Sequence, residues 1–116
     1  MRTSGLLEVS VHTILAEYAR RRSTPGIAAY VSRRLERTTN LQPERLYTLL
    51  GDFTSQWRTR LEEFMRGDRS EAIRSVVNNR NQIAHGKSVS VGVSQVQLWL
   101  QSVTEVVEFI GSLADE

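Results

Sequence analysis

The chain has 116 residues, of which 40% are hydrophobic and 24% are charged, a composition typical of one folded globular domain and unlike that of a disordered segment. It has no cysteine, which excludes disulfides, thiolate nucleophiles and thiolate metal sites, and no apolar run approaches the roughly 20 residues of a membrane span. The formal net charge is only +2, and polar residues interrupt the N-terminal apolar positions that a signal peptide requires. We therefore expect a single cytoplasmic domain over residues 1–116.

Apolar residues recur at helical spacing along most of the chain, which predicts an all-α bundle of five or six helices. A first helix is expected over about residues 5–22, and a second begins after Thr24, a suitable N-cap with Pro25 at the first helical position. Pro43 opens a short third helix, and a further helix is expected to follow Gly51.

The second half of the chain predicts two longer helices. Asp68 and Glu71 form a variant of the capping box and start a helix that contains the sequence VVNNRNQIAHG, with Gly86 marking its C-terminal end. Residues 87–94 alternate polar residues with valines for too short a run to form a sheet, so an extended loop or an isolated strand is expected. Ser94 is predicted to cap a last, buried central helix with a wide apolar stripe. This stripe consists of Val96, Trp99, Leu100, Val103, Val106, Val107, Ile110 and Leu113.

Arginine dominates the first half of the chain. Residues 1–60 carry ten arginines against five acids, a net charge of +5, whereas residues 61–116 carry five basic groups against eight acids, a net charge of −3. The guanidinium group suits bidentate contact with phosphate, so a polyanionic partner is one interpretation of this asymmetry. A solvated face of basic helices is the other.

The helix after Asp68 contains an arginine at a position that its spacing marks as apolar. One stripe of this helix consists of Ile73, Val76, Arg80 and Ile83, at spacings of 3, 4 and 3. Burying an unpaired guanidinium costs several kcal/mol, so Arg80 needs a partner or a cavity. It is either held by packing and directed into a cleft, or it extends to solvent or to an internal acid.

A second stripe of the same helix is polar and consists of Arg74, Asn78, Asn81 and His85, at spacings of 4, 3 and 4. Such a row is what the solvated side of any amphipathic helix shows. His85 also has a structural interpretation, because a histidine in the last turn of a helix interacts favourably with the helix dipole. Each of these residues alone therefore indicates little about function.

Other candidate residues have structural interpretations as well. His12 flanks the apolar stripe of the first helix and is interpreted as a surface or packing residue. Trp57 and Trp99 lie on apolar stripes and are predicted to be core residues rather than base-stacking platforms. Lys87 is either a phosphate ligand or a solvated loop residue. Because the chain has two histidines and no cysteine, neither a metal site nor a cofactor is expected.

Taken together, Arg80, Asn81 and His85 form a recognisable pattern. The segment RNQIAHG resembles the signature motif of the HEPN superfamily, which has an arginine, a polar residue that is often asparagine, and a histidine after a short spacer. The ending Ala84-His85-Gly86 is most similar to the RiboL-PSP type of HEPN domain. An all-helical domain of this length, with the motif late in the chain and a long apolar helix after it, agrees with the resemblance.

The resemblance implies a metal-independent endoribonuclease, a toxin of a toxin–antitoxin system or an antiviral defence effector, active as a homodimer in which two such motifs face each other. RNA supplies its own nucleophile, the 2′-OH, and a histidine can transfer its proton while an arginine stabilises the charge that grows on the phosphate. The predicted catalytic residues are Arg80, Asn81 and His85, and the predicted substrate-binding residues are Arg74, Asn78 and Lys87.

Helix geometry adds a condition to this interpretation. On an ideal helix Arg80 and His85 lie about 140° apart with a rise of about 7.5 Å. They meet at one phosphate only if the helix loosens near Gly86 or if groups from two subunits come together.

The chain departs from one family pattern at Lys87. HEPN toxins paired with nucleotidyltransferase antitoxins often have a tyrosine at this position, which the partner modifies. Any antitoxin or regulatory partner is therefore expected to act by another mechanism.

Two other functions remain open from the sequence. One is a non-catalytic HEPN-type module that binds a nucleotide or a partner protein, or that dimerises. The other is a basic helical nucleic-acid-binding protein that uses the arginines of residues 20–37, for which strong salt-dependent binding without cleavage would be the sign. The intact Arg-Asn-His set favours the enzyme.

Overall fold

The computed structural model describes the backbone of residues 3–84 and 93–115 and the side chains of residues 5–78 and 94–115. Within these residues the chain forms six α-helices and no strand, which confirms the all-α prediction. The helices are α1 (Thr3–Arg22), α2 (Pro25–Glu36), α3 (Pro43–Phe53), α4 (Ser55–Phe64), α5 (Asp68–Ala84) and α6 (Val93–Ala114). None of the helices in the described part of the chain is both long enough and apolar enough to span a membrane.

The first helix boundaries follow local sequence signals. Thr24 is the N-cap of α2, as predicted: its Oγ1 accepts a hydrogen bond from the Ile27 amide at 3.4 Å, and Pro25 is the first helical residue. Pro43 likewise opens α3. The end of α1 is formed by the basic residues 20–22, whose positive charge interacts favourably with the C-terminal end of the helix dipole.

The break between α3 and α4 lies at Thr54, so the prediction of a new helix directly after Gly51 is wrong. Thr54 has an extended backbone (φ −154°, ψ 142°), and its Oγ1 accepts hydrogen bonds from the amides of Gln56 at 3.0 Å and Trp57 at 3.3 Å. Gly51 lies inside α3, where a Cβ would approach the Cδ of Arg58 on α4 to 3.2 Å. The glycine therefore permits close packing of α3 and α4 and does not end a helix.

Two predicted caps lie inside their helices. The turn before α5 has Gly67 in the left-handed conformation (φ +79°), and Asp68 is the first residue of the helix rather than the residue before it. Asp68 and Glu71 thus share the first turn, where their carboxylates interact favourably with the helix dipole. Ser94 is the second residue of α6. Of the loop or strand predicted for residues 87–94, the last two residues belong to α6 and the others lie outside the described residues.

One apolar core joins all six helices. In it α1 packs against α2 and α6, α6 packs against α5, and α3 packs against α4. Its buried side chains include Leu7, Val11, Leu15, Leu35, Leu46, Leu50, Trp57, Leu61, Ile73, Val76, Val103, Val106, Ile110 and Leu113. These are largely the stripes that helical spacing predicted, because burial of one apolar face is what holds an amphipathic helix in a bundle.

The prediction that α6 is buried along its length is wrong for its first turns. Val103 and Ile110 are buried, but Val96 is 40% exposed, Leu98 is 58% exposed and Leu100 is 44% exposed. The described core covers only the C-terminal part of this helix, so a stripe that continues beyond the core becomes an exposed apolar surface. Trp99, between these residues, is half-buried and packs against the core, as predicted.

Shortening a buried side chain of α5 should destabilise the whole fold. Ile73 is fully buried, so Ile73→Ala removes apolar contacts and leaves a cavity, and the free energy of unfolding should fall by about 2–5 kcal/mol. Urea denaturation followed by circular dichroism measures this loss. Ile27→Ala is the matched control, because Ile27 is 54% exposed and the same truncation there should change the stability by less than about 0.5 kcal/mol. Equal effects of the two substitutions would contradict the packing of α5.

Candidate active site

The predicted motif begins in the last turns of α5, whose inner side is fixed by core packing. Ile73 is fully buried and Val76 is 2% exposed, which confirms the start of the predicted apolar stripe. Arg80 and Asn81 lie within the last five residues of the helix. By helical register Arg80 continues the positions of Ile73 and Val76, and Asn81 continues the polar row that begins at Arg74.

The polar row of α5 contacts the beginning of α3. Arg74 forms a two-pronged ion pair with Glu44: its two terminal nitrogens lie 2.8 Å and 3.3 Å from the two carboxylate oxygens. Arg74 is half-buried, whereas the Glu44 side chain is exposed. The guanidinium that was predicted to bind substrate therefore has a carboxylate partner within the chain, and a phosphate would have to compete with Glu44 for it.

A second contact of the row lies one turn further along α5. The side-chain amide of Gln42 donates a hydrogen bond from Nε2 to Oδ1 of Asn78 at 2.8 Å. The other amide atom, Oε1, is buried and has no hydrogen-bond partner among the described residues. Gln42 and Glu44 flank Pro43 at the start of α3, so the first turn of that helix is tied to two successive turns of α5.

The N-terminal part of α5 is anchored to α6. Nε of Arg69 donates to the Glu105 carboxylate at 3.0 Å, and the guanidinium lies 4.2 Å above the centre of the Phe64 ring. The same ring stacks on Phe109 of α6 at a centroid distance of 4.2 Å. These contacts, with the core stripe and the α3 contacts, hold α5 on three sides before the motif begins.

The pair between Arg74 and Glu44 makes a testable electrostatic prediction. The hydrogen bonds from the Arg74 guanidinium hold the pKa of the Glu44 carboxylate below its ordinary value. Because the folded-state pKa is the lower one, the pair contributes stability above the unfolded-state pKa, and this contribution is lost as the pH falls through the folded-state pKa. We expect Arg74→Gln to raise the pKa of Glu44 towards its ordinary value in a pH titration followed by NMR.

The control for this titration is Arg66→Gln, which removes the same charge from an exposed arginine outside the pair. It should leave the Glu44 titration almost unchanged, because Arg74, and not Arg66, lowers the pKa of the Glu44 carboxylate. Equal shifts in the two variants would show that the Glu44 carboxylate responds to net charge and not to Arg74.

The structure describes some of the predicted site residues and not others. Arg74 and Asn78 come together with α3, and Arg80 and Asn81 are placed by the backbone of α5. His85 and Lys87 lie outside the described residues, as does Gly86, the predicted end of the helix. Sequence patterns missed Gln42 and Glu44, because helical spacing describes one helix at a time and gives no pairing between helices. The only local signal was two long polar residues flanking the proline that starts α3.

The residues with structural interpretations have packing roles. The His12 ring lies 3.0 Å from the Thr38 carbonyl oxygen and so connects α1 to the segment after α2. Trp57 is buried and packs edge-on against Tyr18 at 4.8 Å and in a stacked arrangement with Phe53 at 5.7 Å. The core interpretation of Trp57 and the packing interpretation of His12 are confirmed, and Trp99 is half-buried against the core.

Comparison with known proteins assigns the chain to a family. A family model described as RiboL-PSP-HEPN matches residues 1–116. No curated protein and no solved structure matches the chain at a significant level. The resemblance inferred from RNQIAHG is thus confirmed at the level of the family, and six helices in the described residues agree with it. The chain belongs to the RiboL-PSP-HEPN family.

Proposed function

We propose that the chain is a HEPN-type endoribonuclease that cleaves RNA without a metal ion, by attack of the 2′-OH on the adjacent phosphate. The observation that carries the proposal is the position of Arg80 and Asn81 at the end of a helix that is held on three sides, in a member of this family, with His85 five residues after the arginine. Preorganised groups that need no rearrangement are what an electrostatically driven reaction requires.

The chemistry follows from these residue types. The 2′-oxygen forms a bond to phosphorus as a base accepts its proton, and the bond from phosphorus to the 5′-oxygen breaks as an acid donates a proton to that oxygen. The products are a 2′,3′-cyclic phosphate and a 5′-hydroxyl, and no water is consumed. In this scheme His85 transfers protons, Arg80 stabilises the charge on the phosphorane, and Asn81 orients the phosphate or His85.

A homodimer fits this scheme because the acid and the base act on opposite sides of the phosphate. One histidine per subunit gives two histidines across a two-fold axis, so each subunit completes the site of its partner. The exposed apolar residues Val96, Leu98 and Leu100 begin shortly after the motif in the sequence and offer a surface for such an interface. The dimer also removes the requirement that Arg80 and His85 of one helix meet each other.

Within this proposal the biological role is that of a toxin or an antiviral effector restrained by a regulatory protein. Lys87 stands where some HEPN toxins have the tyrosine that their partner modifies. Restraint is therefore proposed to act through binding and not through modification of that position.

The test compares RNA and DNA oligonucleotides of the same mixed sequence, each labelled at its 5′ end and incubated with the purified chain. The proposal expects fragments from RNA and none from DNA, which lacks the 2′-OH. Strong, salt-dependent RNA binding without fragments would overturn the enzyme and favour the nucleic-acid-binding protein. If the chain neither cleaves nor binds RNA, the enzyme proposal is overturned in favour of a non-catalytic HEPN-type module.

A further inference from the structure

Helix α2 is packed mainly on one side. Among the described helices its extensive packing is with α1 alone, and its other side borders an open groove of about 670 Å³ between α1, α2 and α3. We call this the α2 groove. Its apolar walls include Tyr18, Ile27, Tyr30, Val31, Leu49 and Phe53.

Two large apolar side chains of the α2 groove are more than half exposed in the described structure. Ile27 is 54% exposed and Tyr30 is 57% exposed, although both lie on the same helix as the buried Leu35. Val31 and Leu49 are half-buried at the floor of the groove. Adjacent exposed apolar side chains in a concave surface indicate a site for another molecule.

One end of the groove is basic. A second depression of about 310 Å³ shares Arg34 with the α2 groove and adds Arg37 and Arg45 to its lining. Arg34 and Arg37 form no ion pair with any residue that the structure describes, and Arg45 donates a hydrogen bond to the Thr39 carbonyl oxygen at 2.8 Å. Asp52 is the one carboxylate among the described residues that line the two depressions.

Other arginines of the chain are neutralised within it. Arg20 is paired with Glu17, Arg58 lies 3.1 Å from a Glu62 carboxylate oxygen, and Arg69 lies 3.0 Å from Glu105. The basic end of the α2 groove differs from these surfaces, because Arg34, Arg37 and Arg45 form no ion pair among the described residues and Asp52 is the one carboxylate in the lining. This charge pattern is complementary to a ligand with carboxylates at one end and apolar groups at the other.

From this arrangement we propose that the α2 groove binds an acidic amphipathic helix of a partner protein. The apolar face of the partner helix lies against Ile27 and Tyr30, and its acidic side chains pair with Arg34, Arg37 and Arg45. The walls of the groove consist of helices, which offer no free strand edge to an extended peptide, whereas a helix satisfies its own backbone hydrogen bonds. Helix α2, with 12 residues, is about 18 Å long and can line roughly three turns of a bound helix.

Two other occupants fit the groove less well. RNA would find guanidinium groups, but of the three aromatic rings that line the groove (Tyr18, Tyr30 and Phe53) only Tyr30 is strongly exposed for base stacking. The exposed apolar start of α6 from a second copy has no acidic residue before Glu105, so it cannot pair with the arginines. The acidic helix satisfies both the apolar and the basic parts of the surface.

The test selects ligands for the intact chain from a displayed library of random peptides of about 16 residues, the length of a four-turn helix. Selected peptides are synthesised with a fluorophore, and their binding is measured by fluorescence anisotropy. We expect enrichment of apolar residues at positions i, i+3, i+4 and i+7 with Asp or Glu clustered towards one end. Tyr30→Asp and Arg34→Glu should each weaken binding by about tenfold or more, the loss expected of an interface hot spot.

The matched control is Arg33→Glu, which makes the same charge change at the neighbouring exposed residue of α2, outside the lining of the groove. It should weaken binding much less than Arg34→Glu. Lack of enrichment of acidic helical peptides, or equal losses for Arg33→Glu and Arg34→Glu, would overturn the proposal. A 2′-O-methyl oligouridylate of about 12 nucleotides tests for RNA binding to the same groove. If it binds the wild type, and if both Tyr30→Asp and Arg34→Glu abolish this binding, the groove is assigned to RNA and the proposal is overturned. None of these measurements uses RNA cleavage, so this proposal and the ribonuclease proposal fail separately.

Discussion

The His85→Ala variant is expected to lose RNA cleavage by a factor of about 10²–10⁴ or more, the contribution typical of general acid–base catalysis. In the proposed dimer the substitution removes both the acid and the base, because the two histidines are the same residue in two subunits. The loss should therefore lie at the upper end of this range. The measurement is the initial rate of cleavage of a labelled RNA under conditions of excess substrate.

The chain provides its own control for this variant, since it has only one other histidine. His12 contacts the Thr38 carbonyl oxygen and connects two structural segments. We expect His12→Ala to lower thermal stability moderately while cleavage per folded molecule stays within a few-fold of the wild type. Undiminished cleavage by His85→Ala, or equal losses in the two variants, would contradict the assignment of His85.

Replacement of Arg80 is expected to have the second-largest effect. Arg80→Ala removes the guanidinium proposed to stabilise the phosphorane, and the loss of one such group from a preorganised site lowers the rate by about 10²–10³. Arg80→Lys should recover only part of the rate, because an ammonium group keeps the charge but not the two-pronged geometry. Single-turnover cleavage rates should therefore decrease from the wild type to Arg80→Lys and then to Arg80→Ala.

Folding must be measured alongside these rates, because Arg80 continues the register of the buried residues Ile73 and Val76. The variants are expected to keep the helical content of the wild type and the proposed dimer, as judged by circular dichroism and light scattering. Arg66→Ala, at an exposed position in the turn before α5, is the charge control and should retain activity. Loss of activity in Arg80→Ala together with loss of helical structure would assign the residue to the fold and contradict its role in catalysis.

Much of the fold was predictable because the bundle is built from single amphipathic helices. The stripe of α1 through Leu7, Val11 and Leu15 is buried as its spacing indicates, and so is that of α5 up to Val76. Thr24 with Pro25 fixed the start of α2 through a local interaction between a side chain and the backbone. Such features depend on residues within one or two turns, and the sequence displays them directly.

The wrong predictions concern interactions between helices. The glycine at position 51 predicts a helix end, but Gly51 lies within α3, where the missing side chain leaves room for Arg58 of α4. The stripe of α6 continues unchanged to its start and so predicts burial there, whereas the core formed by the described residues does not extend as far as Val96 and Leu98. A periodic pattern gives the face of a helix and not the extent of its neighbours.

The candidate site shows the same division. A motif of seven residues predicts Arg80, Asn81 and His85 as the site, and the whole-length family match confirms the family that this motif indicated. The sequence could not show that Arg74 is already paired with Glu44, or that Gln42 contacts Asn78. These contacts show that the first part of the polar row holds α5 against α3. The chemistry proposed for Asn81 and His85 belongs to the last part of the row.

The chemical ends of the cleaved RNA test the central claim most directly. Total RNA is incubated with the purified chain in the presence of EDTA, and the termini of the fragments are mapped. Attack by the 2′-OH predicts fragments with 2′,3′-cyclic phosphate and 5′-hydroxyl ends, formed at the same rate with and without the chelator, and absent with the His85→Ala protein. Fragments with 3′-hydroxyl and 5′-phosphate ends, or cleavage that requires added Mg²⁺, would contradict the account.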